Sequence, residues 1–390
     1  MRAWIFTLLF LTLGPGAIGE AGVLTPAPDG TPMTPTCPSG EFPSAGALDI
    51  TDGTVLWAAC SPDETYRTVI GGNDSIVLID EQGPDGMRTV AFDAGTGVER
   101  WHRATGIVPF PPGPPIAQGP IDGQGIVVLA TDDGDGPALI GVDALTGDER
   151  WRVASLEVPL AHSATVAVVG DAPSPGPPVR FRGIDRTTGA ELWVSATPLT
   201  DMSGNFVARA PVAVLGDVLV VPTDATVTAL NMGTGATLWE SPQLDHPVAA
   251  DGVIIGMRGA NGPPPHSVAA LDADAGQLLW EAPGRASYGD LLAAGDGMVA
   301  VLDWERGGVI AYEMTSSTER WRVTSPQGEP QLISGTSLVL LWEGEVAVLS
   351  TTDGATTWSA TEPFGSPLMN SVGTNGDTVF VAINSRPWTD

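Results

Sequence analysis

The chain has 390 residues, which is enough for one large repeat domain or for two domains with full hydrophobic cores. Its 46 acidic residues outnumber 17 basic ones, the net charge is −29, and every basic residue is arginine. The absence of lysine excludes a P-loop lysine and a Schiff-base lysine. The acidic balance argues against nucleic acid or an anionic membrane surface as a partner.

The N-terminal residues have the pattern of an export signal. Arg2 precedes an apolar run over 4–13, and a helix-breaking Gly-Pro-Gly follows. We therefore predict a signal peptide over 1–22, a Pro/Thr-rich tether over 23–43, a folded domain over 44–386 and a tail over 387–390. The alternative is an uncleaved leader that serves as an anchor.

The predicted location is extracytoplasmic, either secreted or in the periplasm or cell envelope, with no membrane insertion of the mature domain. The first cysteine is Cys37, well past the leader, so we do not expect a lipoprotein. The second and last is Cys60, and an even count in an exported protein predicts a disulfide between the two. Two free thiols in a reducing compartment are the alternative.

Eight segments of eleven residues align without a gap, and each ends in tryptophan. The third position is Asp in five copies, and glycine stands four residues before the tryptophan in all but one, where Ser317 replaces it. The segments span 47–57, 91–101, 141–151, 183–193, 229–239, 270–280, 311–321 and 348–358.

Each segment predicts a β-hairpin. An apolar strand ends at the Asp, whose side chain can accept hydrogen bonds from backbone amides of the turn, and the glycine supplies the positive φ of a tight reversal. Another apolar strand precedes each hairpin, with room for a fourth. Glycine and proline are too frequent for helices, so the chain is predicted to be all-β.

Spacing favours a propeller. Trp57 and Trp358 are seven intervals apart, a mean of 43 residues, which suits a four-stranded blade. The C-terminal segment 366–383 provides only the first two strands of a unit, and 47–57 provides only the last two. We therefore predict an eight-bladed β-propeller of four-stranded blades, in which both termini build the last blade.

The signature A-x-D-x-x-T-G-x-x-x-W resembles the tryptophan-containing repeat of the pyrroloquinoline-quinone (PQQ)-type β-propeller family. The resemblance implies that each tryptophan packs on the neighbouring blade and locks the ring. These structural blade-docking residues would be Trp57, Trp101, Trp151, Trp193, Trp239, Trp280, Trp321 and Trp358.

Some members of this family are quinone-dependent dehydrogenases that use PQQ and calcium, and the alcohol-oxidising enzymes also use a vicinal Cys–Cys pair. This chain has no such pair, and arginine alone would have to hold the PQQ carboxylates. We predict no catalytic, cofactor-binding or metal-binding residue. The carboxylates of the 131–136 turn, the sequon at Asn73 and the scattered His102, His162, His246 and His266 are interpreted as ordinary surface or core features.

The predicted function is that of an exported, non-catalytic propeller, expected to be monomeric, that binds a protein or polymer partner. The resemblance supports this, because relatives include a component of the outer-membrane barrel-insertion machinery and the sensor domains of receptor kinases. A PQQ-dependent alcohol or sugar dehydrogenase is the alternative.

Overall fold

A computed structural model describes residues 37, 42–61, 66–83, 86–105, 125–132, 134, 136–171, 180–195, 213–222, 226–242, 244–258, 267–283, 292–303, 308–324, 328–342, 344–364 and 369–384. Within these ranges the chain forms 31 β-strands and no helix. The predicted leader, most of the tether and the tail lie outside the described residues, and the predicted domain limits stay predictions.

The strands follow the repeats of the sequence. They are β1 (Phe42–Asp49), β2 (Val55–Ser61), β3 (Tyr66–Gly72), β4 (Ile76–Gly83), β5 (Gly86–Asp93), β6 (Glu99–Ala104), β7 (Ile126–Thr131), β8 (Ala138–Asp143), β9 (Glu149–Ala154), β10 (Glu157–His162), β11 (Val166–Asp171), β12 (Phe181–Asp185), β13 (Glu191–Val194), β14 (Ala213–Leu215), β15 (Val218–Pro222), β16 (Thr226–Asn231), β17 (Thr237–Pro242), β18 (Asp245–Ala250), β19 (Val253–Arg258), β20 (Ser267–Asp272), β21 (Leu278–Pro283), β22 (Leu292–Gly295), β23 (Met298–Asp303), β24 (Gly308–Glu313), β25 (Glu319–Val323), β26 (Glu329–Ser334), β27 (Ser337–Trp342), β28 (Glu345–Ser350), β29 (Thr356–Thr361), β30 (Met369–Thr374) and β31 (Thr378–Ile383).

These strands build a ring of eight antiparallel blades, which confirms the predicted propeller. Blade 1 is β3–β6, blade 2 is β7–β9, and blades 3 to 7 take four successive strands each from β10 to β29. Blade 2 has three strands among the described residues, and the chain before β7, residues 106–124, lies outside them. The first strands of neighbouring blades contact one another, so they line the centre and the fourth strands form the rim.

Blade 8 is composite, as the sequence predicted. Its strand order is β2-β1-β31-β30, so the first hairpin of the chain completes the sheet that the last hairpin begins. β1 pairs antiparallel with β31 from Ala45↔Ala382 to Asp49↔Thr378, and with β2 on its other side. The ring therefore closes through backbone hydrogen bonds within one sheet, which leaves no open blade at either end.

Apolar side chains fill the seams between blades. The middle strands are runs of Val, Ile, Leu and Ala that are buried on both faces, because each blade is sandwiched between two others. Eight apolar clusters result, one at each seam, and each contains one of the eight repeat tryptophans. At the seam between blades 8 and 1, for example, Trp57 packs with Val77, Phe92 and Phe380.

Candidate functional site

The eight repeat tryptophans lie at eight separate joints around the ring. Each indole N–H donates a hydrogen bond of 2.7–2.9 Å to a backbone carbonyl of the next blade. The pairs are Trp57–Ala94, Trp101–Ala144, Trp151–Arg186, Trp193–Met232, Trp239–Ala273, Trp280–Met314, Trp321–Thr351 and Trp358–Ile50. The last pair joins blade 7 to blade 8, so the circle of bonds is complete. Their docking role stays a prediction, which substitution can test.

The residue that accepts the indole hydrogen bond connects the preceding blade to two turns of its own blade. Ala94 accepts the Trp57 indole with its carbonyl, while its own amide donates to Ser75 in the turn between the first two strands of its blade. Gly97, at φ +69°, brings its backbone so close that an added Cβ would lie 2.4 Å from Trp57 Cε3. The turn is fixed by Asp93, whose carboxylate accepts the amides of Gly95 and Thr96, as the sequence predicted.

A β-bulge precedes every repeat tryptophan. The pairing of the third and fourth strands skips one residue there, so that residue opposes no partner and the local twist increases. The skipped residues are Leu56, Arg100, Arg150, Leu192, Leu238, Leu279, Arg320 and Thr357. The aligned repeats show leucine or arginine at this position in seven of eight copies, but the bulge itself is not readable from the sequence.

Three of the bulge residues are arginines that fold back on their own hairpin. Arg150 Nη2 lies 2.7 Å from Asp143 Oδ2, and Arg100 and Arg320 make equivalent pairs with acids at the third repeat position. The hydrogen bond from Arg150 lowers the pKa of Asp143. These arginines are therefore engaged in ion pairs within their own blades, which are blades 1, 2 and 6.

In three consecutive blades the bulge residue is instead an exposed leucine. Leu192 of blade 3, Leu238 of blade 4 and Leu279 of blade 5 are 48%, 46% and 44% exposed. Val194 and Leu278 on the same outermost strands are exposed as well. We name these five residues the apolar rim. They account for five of the eight exposed large hydrophobic side chains in the described part of the chain.

Acidic side chains accompany the apolar rim. Glu191 precedes Leu192, and Glu240 and Glu281 each follow the repeat tryptophan of their strand. Arg182 and Arg258 pair with Glu191 and Glu281. Since β13, β17 and β21 are the edges of their sheets, leucine and carboxylate are presented together on strands that have only one neighbour.

A buried ion cluster at the seam of blades 8 and 1 was also missed. Arg67 is fully buried, and its Nε donates to Glu81 at 2.8 Å, while Glu81 also pairs with Arg88. The Arg67 amide donates to the Asn384 side chain at 2.8 Å, and Nη1 donates to the Ile383 carbonyl at 3.2 Å. These partners satisfy a charge that would be very unfavourable alone.

The other sequence candidates take structural positions. The Asn73 side chain accepts the amides of Ser75 and Ile76, so it shapes a turn. His102 contacts Glu99 at 2.7 Å on the surface, whereas burial, and then the charge of Arg186, lower the pKa of His162 to about 4. His266 and parts of the 131–136 turn lie outside the described residues, as does the side chain of His246.

The described residues do not fit a quinone site. Within the described ranges, no group of three His, Cys, Asp or Glu side chains is placed to hold a metal ion such as calcium. Arg67, which is a buried cation, is already engaged by Glu81, Asn384 and Ile383. We therefore derive no chemistry through PQQ. In the same part of the chain, no helix is long and apolar enough to cross a membrane.

Eight tryptophan-joined blades, one of them the composite closing blade, define a PQQ-like β-propeller. A family model described as outer membrane protein assembly factor BamB matches residues 86–254 and 265–386, which is well over half of the chain. The chain therefore belongs to this family.

Individual relatives agree with the family. The BamB protein of Moranella endobia is 26% identical over 234 residues, which cover 53% of this chain and 58% of that protein, so the match spans little more than half of the curated relative. The crystal structure of BamB from Moraxella catarrhalis has a TM-score of 0.50 at 18% identity and covers 87% of this chain and 91% of that one. The computationally designed Ika8 protein has a TM-score of 0.54 at 18% identity, covering 82% and 97%. These structural likenesses concern the fold alone.

Proposed function

We propose that this protein is an exported, non-catalytic scaffold that binds a protein partner through the apolar rim. The observation that carries the proposal is the change at one repeat position. Blades 1, 2 and 6 place an ion-paired arginine at the bulge. The consecutive blades 3, 4 and 5 each expose a leucine there, and the one other exposed leucine at a described bulge, Leu56 of blade 8, lies outside this run. Exposed apolar side chains clustered in one sector of a soluble ring favour a protein interface.

The chemistry of the rim indicates the kind of partner. Leucine and valine side chains on sheet edges suit an extended segment that presents apolar residues at alternate positions. Glu240, which follows Trp239 on the strand of Leu238, and the net charge of −29 favour basic residues in the partner, whereas Glu191 and Glu281 are already paired with arginines of their own blades. Because relatives are named as outer membrane protein assembly factors, we propose a partner from that assembly process in the cell envelope.

The proposed location is extracytoplasmic and does not require a lipid on the protein. Cys37, the first cysteine, is bonded to Cys60 with an S–S distance of 2.06 Å. A disulfide-bonded sulfur is not available for thioether attachment of a lipid, which supports the proposal that Cys37 is not a lipid anchor. The predicted monomeric state is retained as part of this proposal.

Site-specific cross-linking tests the rim. A photo-reactive amino acid replaces Leu238 in one variant and Leu56 in a matched control. Leu56 occupies the equivalent bulge of blade 8 and is 40% exposed. In envelope fractions we expect one dominant adduct from position 238 and none from position 56. The adduct should disappear when Leu192→Ser and Leu279→Ser are added. Equal cross-linking at both positions would contradict the proposal.

A further inference from the structure

The disulfide encloses the hairpin that closes the ring. Cys37 precedes β1, and Cys60 lies in β2, where it pairs with Pro43 of β1. The two cysteines are 23 positions apart in sequence, and their Cα atoms are 5.6 Å apart. All of β1, the turn and nearly all of β2 therefore lie within one covalent loop, whose entry and exit are adjacent.

This hairpin is the element whose loss would open the propeller. β1 supplies the pairing with β31, Ile50 accepts the indole of Trp358, and Gly53 packs under the same ring. The hairpin also contributes Leu48 to the apolar cluster with blade 7 and Trp57 to the cluster with blade 1. Removing it would uncover two of the eight seams at once.

Without the disulfide, tension in the chain before residue 37 would act directly on β1. β1 would then be pulled from its first residues, and its hydrogen bonds to β2 and β31 would break one after another. With the disulfide, the covalent path runs from Cys37 through the two sulfurs to Cys60 and Ser61, and on to β3. Residues 38–59 are then outside the path.

The strand that receives this load is strongly anchored. In β3, Arg67 makes its buried ion pair with Glu81 and bonds to Asn384 and Ile383 of the closing blade. Two residues further on, the Val69 amide donates to Ser371 Oγ at 2.7 Å. Tension diverted past the hairpin thus reaches a strand that is fastened across the seam between blades 8 and 1.

We propose that the Cys37–Cys60 disulfide is a mechanical bypass that keeps tension from the N-terminal segment off the ring-closing hairpin. The ring then stays closed while the protein is held or pulled by the segment that precedes Cys37. This role differs from general stabilisation, because it depends on the direction from which the load arrives.

Single-molecule pulling of the full chain tests the bypass. One handle is placed at the N-terminus, and the other replaces the exposed Asp274 in blade 5 through an unnatural amino acid. In the Cys37→Ser/Cys60→Ser variant we expect an early, low-force step that releases residues 38–59, about 80 Å of chain at roughly 3.6 Å per residue. The wild type should lack that step and should unfold first at a higher force.

A second geometry separates the bypass from ordinary stability. When the handles are placed at Asp148 in blade 2 and Asp274 in blade 5, the path does not enter through Cys37, and both proteins should open at the same force. If the variant fails to fold, wild-type molecules are reduced with dithiothreitol after folding and then pulled. An unchanged first step in the N-terminal geometry, or equal weakening in both geometries, would overturn the proposal.

Discussion

Replacing Gly97 with alanine tests whether the tryptophan joints are as closely packed as the structure indicates. Two effects add. The first is the backbone, since φ is +69° at Gly97, a conformation that disfavours an alanine by roughly 1–2 kcal/mol. The second is contact, since the new Cβ would lie 2.4 Å from Trp57 Cε3, whereas carbon atoms prefer about 3.5–4.0 Å.

Trp57 cannot move aside freely, because its indole is hydrogen-bonded to Ala94 and its ring is buried. Overpacking of this kind destabilises by about 1–3 kcal/mol. We therefore expect Gly97→Ala to lower the free energy of unfolding by roughly 2–5 kcal/mol. Urea denaturation, followed by tryptophan fluorescence, measures the change.

Gly216→Ala is the matched control. Gly216 has φ +58°, but an added Cβ would meet nothing within 4 Å, so only the backbone effect remains. We expect a loss of roughly 1–2 kcal/mol. In a Trp57→Leu background, Gly97→Ala should cost less than it does in the wild type, because the ring that the new methyl group meets is gone. Equal losses at Gly97 and Gly216, or the same cost of Gly97→Ala in both backgrounds, would refute the close-packed joint.

Three further predictions concern charge and turn chemistry. Burial raises the pKa of Asp80 to about 6, so the ionised carboxylate lowers the free energy of unfolding as pH rises above about 4. Asp80→Asn should therefore raise the free energy of unfolding by at most about 3 kcal/mol at pH 8 and leave it unchanged at pH 3, as measured by urea midpoints. His162 has its pKa lowered to about 4, so the wild type should lose stability as pH falls from 6.5 to 4, and His162→Gln should flatten that slope. Asp93→Ala should lower the free energy of unfolding by about 1–2 kcal/mol, because the backbone amides of the turn lose their acceptor. Asp93→Asn should lower it by less, because Asn231 accepts the equivalent amide hydrogen bond in blade 4. Equal decreases of the melting temperature in the two variants would contradict this.

The sequence was sufficient to predict the architecture because every blade repeats the same local chemistry. The aspartate and the glycine shape the turn within one hairpin, and the tryptophan donates its indole N–H to the next blade. Closure could be predicted as well, since the two incomplete units at the ends of the chain complement each other. Cys37 and Cys60 were the only cysteines, so their pairing had one solution.

Features that depend on pairing or on distant contacts could not be predicted. The bulge at Leu238 becomes visible only once the register of β16 and β17 is known. Arg67 and Asn384 are 317 positions apart, so nothing in either local sequence indicates their contact. The apolar rim was missed for a related reason, because leucine in an apolar strand gives no sign of whether it faces the core or solvent.

The unbroken circle of indole–carbonyl hydrogen bonds affects where unfolding of this protein can begin. A linear array of repeats frays from its terminal units, which each have only one neighbour. Here every blade has two neighbours, so there is no weakest end from which disorder can spread. Damage to a single joint would create two such ends at once, and the remaining blades would then behave as an open array.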